Sequence, residues 1–174
     1  MSHSRARITL RYPARFMLAA AMNPCACGLH GAEGGRCTCD PAVVARYRSR
    51  VSGPLLDRID LHIEVPAVPV EDLRAVGSVE SSDAVPVRVT AAHEREHQRF
   101  SHVPEVGANS HMRSREIRGW CPLNDAPDRI LRQAMTRLAL SARAHDRVLQ
   151  VARTIADLEG ASRLSSHHVG GAVQ

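Results

Sequence analysis

Four cysteines crowd into fifteen residues as Cys25-Ala-Cys27 and Cys37-Thr-Cys39, with nine residues between the two pairs. Four thiolates at that spacing can close tetrahedrally around Zn²⁺, and glycines 28, 31, 34 and 35 let the backbone fold back so that the pairs meet. Such a site is structural, because sulfur fills all four positions and leaves none for water. Reduced thiols and opportunistic disulfides are the alternatives, and CxC is a less usual pincer than CxxC. His30 stands in the same loop, either as a substitute ligand or as a plain loop residue. The fifth cysteine, Cys121 before Pro122, is distant in sequence and is expected to pack beside the helix that ends at Trp120.

Two polar residues point to phosphate chemistry. Asn23 follows the apolar run Phe16–Met22, whose length and flanks predict a strand buried on both faces of a parallel sheet. Polar residues just beyond the carboxyl ends of such strands line the ligand crevice, where an asparagine can orient a water or touch a phosphate. The alternative is a turn residue before Pro24. Arg58, in SGPLLDRID, can reach a phosphate with its planar fork, or can pair with Asp57 or Asp60. His93-Glu94-Arg95-Glu96-His97 spells HExxH, but no third ligand follows in context, so a charged helix face is the better reading. The His167-His168 pair has no clear ligand companions.

These residues need elements to hold them. Asp40 as N-cap and Pro41 at the first helical position predict a helix through Arg50, stopped before Ser52-Gly53-Pro54. A turn leads into Ile59–Val65, where Ile59, Leu61, Ile63 and Val65 alternate with polar residues as in a half-buried strand. Residues 75–83 read as a linker, which places two domains at 1–77 and 78–174. Beyond it the period is helical. Val85, Val89 and Ala92 share one face, residues 109–120 predict another helix, and Leu131, Met135 and Leu138 line a third. Ser141 caps a fourth with the stripe Val148, Val151, Ala152, Ile155 and Leu158, closed by Gly160. Ser165 or Ser166 opens a last short helix that glycines 170 and 171 predict to fray. The expected class is therefore α/β: part of a parallel sheet followed by a small all-α domain.

Composition narrows the chemistry. The 174 residues carry 23 basic groups, every one an arginine, against 18 acidic ones, for a net charge of +5. With no lysine, a GxxxxGK[ST] phosphate loop is absent from this sequence. No run of about 18 apolar residues suggests a membrane span, and the polar start MSHSRARITLRYPARF does not read as a signal peptide, so a cytoplasmic location is expected. Five aromatic side chains poorly supply a base-stacking platform.

The strings PARFMLAAAMNPCACG, CTCDP, RYRSRVSGPLLDRIDLHIEVP and LSARAHDRVLQVARTIADLEG, in that order, resemble the C-terminal part of the Mg-chelatase-like AAA+ ATPases of the ComM/YifB type. The resemblance spans nearly the whole chain. It implies the second half of a P-loop-type ATPase core with its helical lid, the Walker A and Walker B segments lying upstream. It further implies Asn23 as the sensor-1 residue, Arg58 as an arginine finger acting on a neighbouring subunit, and Arg143 as the sensor-2 arginine of the lid. For Arg143 a surface salt bridge to Asp146 is the alternative. The family's cofactors, ATP and Mg²⁺, are expected only with the upstream half or a partner subunit. Its partners are other AAA+ subunits in a hexameric ring and DNA, on which the family drives branch migration. The competing reading is a small zinc-stabilised nucleic-acid-binding module with no ATPase role.

Overall fold

The computed structural model describes residues 2–5, 8–11, 16–32, 34–56, 58–66, 68 and 80–173. The chain divides into two units, Met1–Arg74 and Ala75–Gln174.

The expected parallel sheet is not formed. Among the described residues the strands are β1 (Ser2–Arg5) and β2 (Ile8–Arg11), an antiparallel pair with Ser2 opposite Arg11 and Arg5 opposite Ile8, and the remaining regular structure is helical. Phe16–Met22 and Ile59–Val65 run without strand pairing. Their apolar side chains face solvent: Met17 is 94% exposed and Val65 87%. The physical reason is that a strand is stable only when neighbours accept its backbone N–H and C=O groups and cover its faces. Among the described residues no neighbouring strand does this for either segment. The α/β expectation is corrected to a helical fold with one terminal hairpin.

Helix α1 (Pro41–Arg48) begins as its sequence dictates, with the Asp40 carboxylate accepting from the Ala42 N–H at 2.9 Å and proline where no donor is needed. It ends two residues before the expected Arg50 and buries Val44. A single turn, α2 (Gly53–Leu56), precedes Arg58.

In the second unit, residues 75–79 of the expected linker lie outside the described residues. Helix α3 (Ala84–Phe100) tolerates Pro86 in its first turn, where the missing N–H has no helical acceptor anyway. It buries Ala92, Glu96 and Phe100, whereas Val85 and Val89 stay exposed. The helix expected over 109–120 is broken into a 3₁₀ turn (Asn109–His111) and α4 (Ser114–Trp120). Helix α5 (Asp125–Arg137) buries Leu131, while Leu138 falls beyond its end and is exposed. Helix α6 (Ala142–Glu159) starts with Ser141 Oγ accepting from the Ala144 N–H and stops at Gly160 with φ +73°. Helix α7 (Ser166–Val173) runs through both of its glycines. Gly171 packs against Ile155, where a Cβ would stand 3.4 Å from Cδ1, so the missing side chain permits the approach.

Phe100, Met112, Ile117, Leu131, Leu149 and Val169 are core residues of this unit. The buried face of α6 is rotated from the expected stripe. Val148 and Ala152 are on it, but Leu149, Arg153, Ala156 and Asp157 join them, and Leu158 is exposed. Asp157, only 1% exposed, takes a two-pronged contact from Arg99, a 2.8 Å hydrogen bond from Asn109 Nδ2 and an ion pair from Arg153 at 3.1 Å. Burial alone raises its pKa. The hydrogen bonds from Arg99 and Asn109 and the charges of Arg153 and Arg99 outweigh that and hold the carboxyl below the usual range. Asn109 also belongs to this network through its N–H, which donates to Glu96 Oε1 at 2.9 Å, and the break itself falls at Met112 and Arg113, whose backbones are extended. No described helix is long and apolar enough to cross a membrane.

Candidate metal centre

Two backbone turns shape the described residues of the loop between Asn23 and Asp40. A turn closes from the Gly28 N–H to the Cys25 carbonyl at 3.1 Å, and another from Ala32 to Leu29 at 3.1 Å. Glycines 28, 31, 34 and 35 all sit at positive φ, between +61° and +82°, and these left-handed steps turn the chain back on itself. The result is that Cys25, Cys27, Cys37 and Cys39 meet, with their four Sγ atoms all within 4.8 Å of one another. The Cys25–Cys27, Cys27–Cys37 and Cys25–Cys37 sulfurs are 3.3, 3.6 and 3.8 Å apart. A tetrahedral ion with metal–sulfur bonds of about 2.3 Å sets its sulfurs about 3.8 Å apart, so the cluster has the right size for one zinc ion. The four sulfurs are soft donors of the kind that select zinc over hard cations. All five cysteines are free thiols.

The electrostatics suit shared deprotonation. The Leu29 backbone N–H and the Cys25 and Cys39 thiols hold Cys27 down to about 6. Cys25 is lowered as well: burial opposes its ionisation, but the backbone N–H groups of His30 and Cys27 and the Cys37 thiol prevail. Cys37 goes the other way. The Cys39 backbone N–H favours its thiolate, yet burial, the bonds it donates to Cys27 and Cys25, and the Cys25 charge push it up to about 11. Cys39 is raised for kindred reasons, with the Cys27 backbone N–H opposing. Metal binding to such a set requires deprotonated thiols, so a bound cation favours the thiolate form of all four.

The other residues singled out from the sequence are placed as follows. Asn23 is exposed and lies beside the cluster, its Cγ and Nδ2 each 3.8 Å from where a Cβ on Gly28 would be. Arg58 is exposed just after α2, and its Nη1 donates to the Pro54 carbonyl at 2.8 Å. Asp57, one of its alternative partners, lies outside the described residues. Arg143 is exposed in the first turn of α6. Asp146, its alternative partner, instead accepts from Ser114 Oγ at 2.8 Å and pairs with His145 at 3.0 Å. Asn23 and Arg58 belong to the first unit and Arg143 to the second.

Cys121 is no ligand. It is buried in the second unit, its Sγ donating to the Leu149 carbonyl at 3.7 Å, and burial pushes its thiol up to about 11. His93 of the HExxH string bonds Glu96 at 3.0 Å, and His167 and His168 both bond Glu159, at 3.3 and 2.8 Å. Among the described residues, the cysteine cluster is the one group of three or more such side chains arranged to hold a metal. Sequence reasoning missed the contact from Arg48 Nε to the Pro24 carbonyl at 3.3 Å, which ties the loop to α1. A cation far from the loop in sequence gives no local signal of that kind.

Comparison with known proteins places this geometry in a lineage. The family model described as magnesium chelatase, subunit ChlI, matches residues 1–73, and the one described as magnesium chelatase, subunit ChlI C-terminal, matches residues 79–174. An uncharacterized protein YifB of Salmonella typhimurium is 44% identical over 174 residues, covering 99% of this chain and 33% of the relative. The competence protein ComM of Haemophilus influenzae is 39% identical over 171 residues, covering 98% of this chain and 32% of the relative. Escherichia coli YifB is 42% identical over 174 residues, with 99% of this chain and 33% of the relative covered. The chain thus spans about a third of the length of these relatives.

Proposed function

The chain belongs to the magnesium chelatase ChlI family, and on that premise we propose that it supplies the arginine-bearing portion of an ATP-hydrolysing ring of the ComM/YifB type. The residues present do not fit a nucleotide by themselves, because a phosphate loop needs a lysine and the sequence has none. The cradle for ATP and Mg²⁺ comes from other polypeptide. What this chain contributes is cationic and positioning chemistry. Arg58 offers a planar guanidinium that can bind two phosphate oxygens at once, which is what stabilises charge on a transferring phosphoryl group. Asn23 offers an amide to orient the attacking water, and Arg143 on the lid offers a second guanidinium. The four-cysteine loop binds zinc as a structural ion. The resemblance to the ComM/YifB ATPases makes DNA the substrate of the assembled ring in this reading.

The observation that supports this reading is full-length alignment: both family models fall in order along the chain and leave only a short gap between them. The test is complementation. The purified chain is added to the full-length ComM of H. influenzae, and ATP hydrolysis is compared for wild type and Arg58→Ala. A finger acting in trans is worth roughly 10³–10⁵ in rate at the sites it serves. We expect the wild-type chain to sustain hydrolysis in mixed rings that the variant poisons. Equal rates with the two chains would overturn the proposal.

A further inference from the structure

We infer that the four-cysteine centre is a positioning device for Asn23: the metal it holds sets the orientation of the Asn23 side-chain amide. The inference deepens the reading above, since in that reading Asn23 is the residue that orients water.

Asn23 is exposed and lies in a segment without helix or strand pairing, so its own backbone does not fix it. Its fixed neighbours are all parts of the cysteine loop. Pro24 follows it directly, and the Pro24 carbonyl is held by Arg48 of α1 at 3.3 Å. Cys25 comes next and is fully buried. The turn from Cys25 to Gly28 then brings Gly28, at φ +81°, to the side of the Asn23 amide, where a Cβ, which glycine lacks, would stand 3.8 Å from Cγ and Nδ2. At the other end of the loop, Cys39 immediately precedes Asp40, the N-cap of α1. The cysteine cluster therefore ties two ends of the chain together: the Asn23–Gly28 turn on one side and the start of α1 on the other. Among the described residues between Cys27 and Cys37 the backbone bonds are short-range turns, which do not tie the two ends together, and the glycines there raise the entropy cost of ordering the loop. A metal bridging Cys25 and Cys27 to Cys37 and Cys39 is what makes the surface beside Asn23 rigid.

The experiment uses the ¹⁵N-labelled full chain with zinc bound. The Asn23 side-chain NH₂ pair is identified as the one lost in Asn23→Asp. Zinc is then exchanged for Cd²⁺, which also folds four-thiolate sites but with longer metal–sulfur bonds. We expect the Asn23 pair to shift on exchange while the backbone signals of Val44 and Tyr47 in α1, and the side-chain pairs of Asn109 and Asn124, keep their positions. A metal that only folds the loop would leave the Asn23 pair where it was, and that result overturns the inference. A second arm uses Arg48→Gln, which frees the Pro24 carbonyl without touching a thiol. Zinc content should stay at one equivalent and the Asn23 pair should keep its position; a pair that moves at full zinc would assign the orientation to Arg48 instead of the metal and counts against the inference. Elemental analysis separates the two levels. Protein purified without added metal that carries well under one zinc removes the metal reading and the inference with it. Full zinc with failed ring complementation removes the ATPase reading but leaves the link between metal and Asn23 standing.

Discussion

The two units of this chain solve the problem of burial in opposite ways. The second unit is held by carbon: Phe100, Met112, Ile117, Leu131, Leu149 and Val169 come from different helices and close on one another. The first unit is held by sulfur. Cys25 and Val44 are its buried apolar residues among those described, while Phe16, Met17, Leu18, Leu61, Ile63 and Val65 stand more than half exposed. Yet both units are rich in apolar residues. The difference teaches that an apolar run buries itself only where the same chain also supplies the facing surface. The second unit has its partners within one stretch of about a hundred residues. The strands expected in the first unit lack theirs, and what structure it keeps around Asn23 is organised by four thiols and four left-handed glycines.

The sharpest way to break this comparison is to remove the metal. Zinc binding to four cysteines supplies an apparent free energy of about 10–16 kcal/mol in small domains, far more than Val44 alone can offer. Treating the zinc-bound chain with a chelator should therefore strip amide protection from residues 23–48, read by hydrogen-exchange mass spectrometry, and leave residues 84–169 protected. Equal loss in both regions would mean that the second unit is not autonomous. Equal retention would mean that the loop does not need its ion.

The converse perturbation strikes the second unit alone. Replacing Asp157 by alanine leaves Arg99 and Arg153 buried without their carboxylate, and breaking a buried pair of this kind costs about 3–5 kcal/mol. The Nε of Arg153 is already buried without a hydrogen-bond partner, so the network has little to spare. The helical transition in urea should move to lower concentration by that amount, while zinc content stays at one equivalent. A shift below about 1 kcal/mol would show that the arginines find water when the carboxylate goes.

How much of this was legible follows the same division. Residues whose meaning is local were readable: Asp40 with Pro41, Ser141 and Gly160 are each found at the helix ends they announce, and the paired CxC motifs are found close enough together to hold a metal. Residues whose meaning depends on distant partners were not. Nothing near Asp157 in sequence signals that Arg99, 58 positions away, will reach it, so the buried face of α6 looked purely apolar and came out rotated. The apolar run at 16–22 suggested a strand by its length and flanks and the run at 59–65 by its alternation, but neither forms one here, because such patterns state a readiness to pair and not the presence of a partner. Asn109 misled in the same way, since helix propensity cannot show that its side chain and N–H are both claimed by a buried network.

The smallest effects come from two helix ends that share one design. At the end of α6, the Ala161 N–H reaches back to the Ala156 carbonyl at 2.8 Å and the Gly160 N–H to Asp157 at 3.2 Å, with Gly160 in the left-handed region. At the end of α5, the Leu140 N–H reaches back to Met135 at 3.1 Å around Ala139, whose φ is +48°. Both are Schellman-type stops, in which one left-handed residue lets the last carbonyls find donors. Glycine takes that conformation freely, whereas alanine pays about 1–2 kcal/mol for it. Ala139→Gly should therefore stabilise the second unit, but by less than about 1 kcal/mol, because glycine also gains freedom in the unfolded chain. Gly160→Ala should destabilise it by more than the same conformational cost, because the new Cβ would also stand 3.1 Å from Arg95 Nη2 and push aside a guanidinium that donates to the Asp157 carbonyl at 2.9 Å. Urea unfolding of the two variants measures both signs at once. Opposite shifts, with the loss at 160 exceeding the gain at 139, follow if the two caps differ only in their residue and in what crowds it. A destabilised Ala139→Gly would mean that the turn before Arg143 is held by the alanine methyl itself rather than in spite of it.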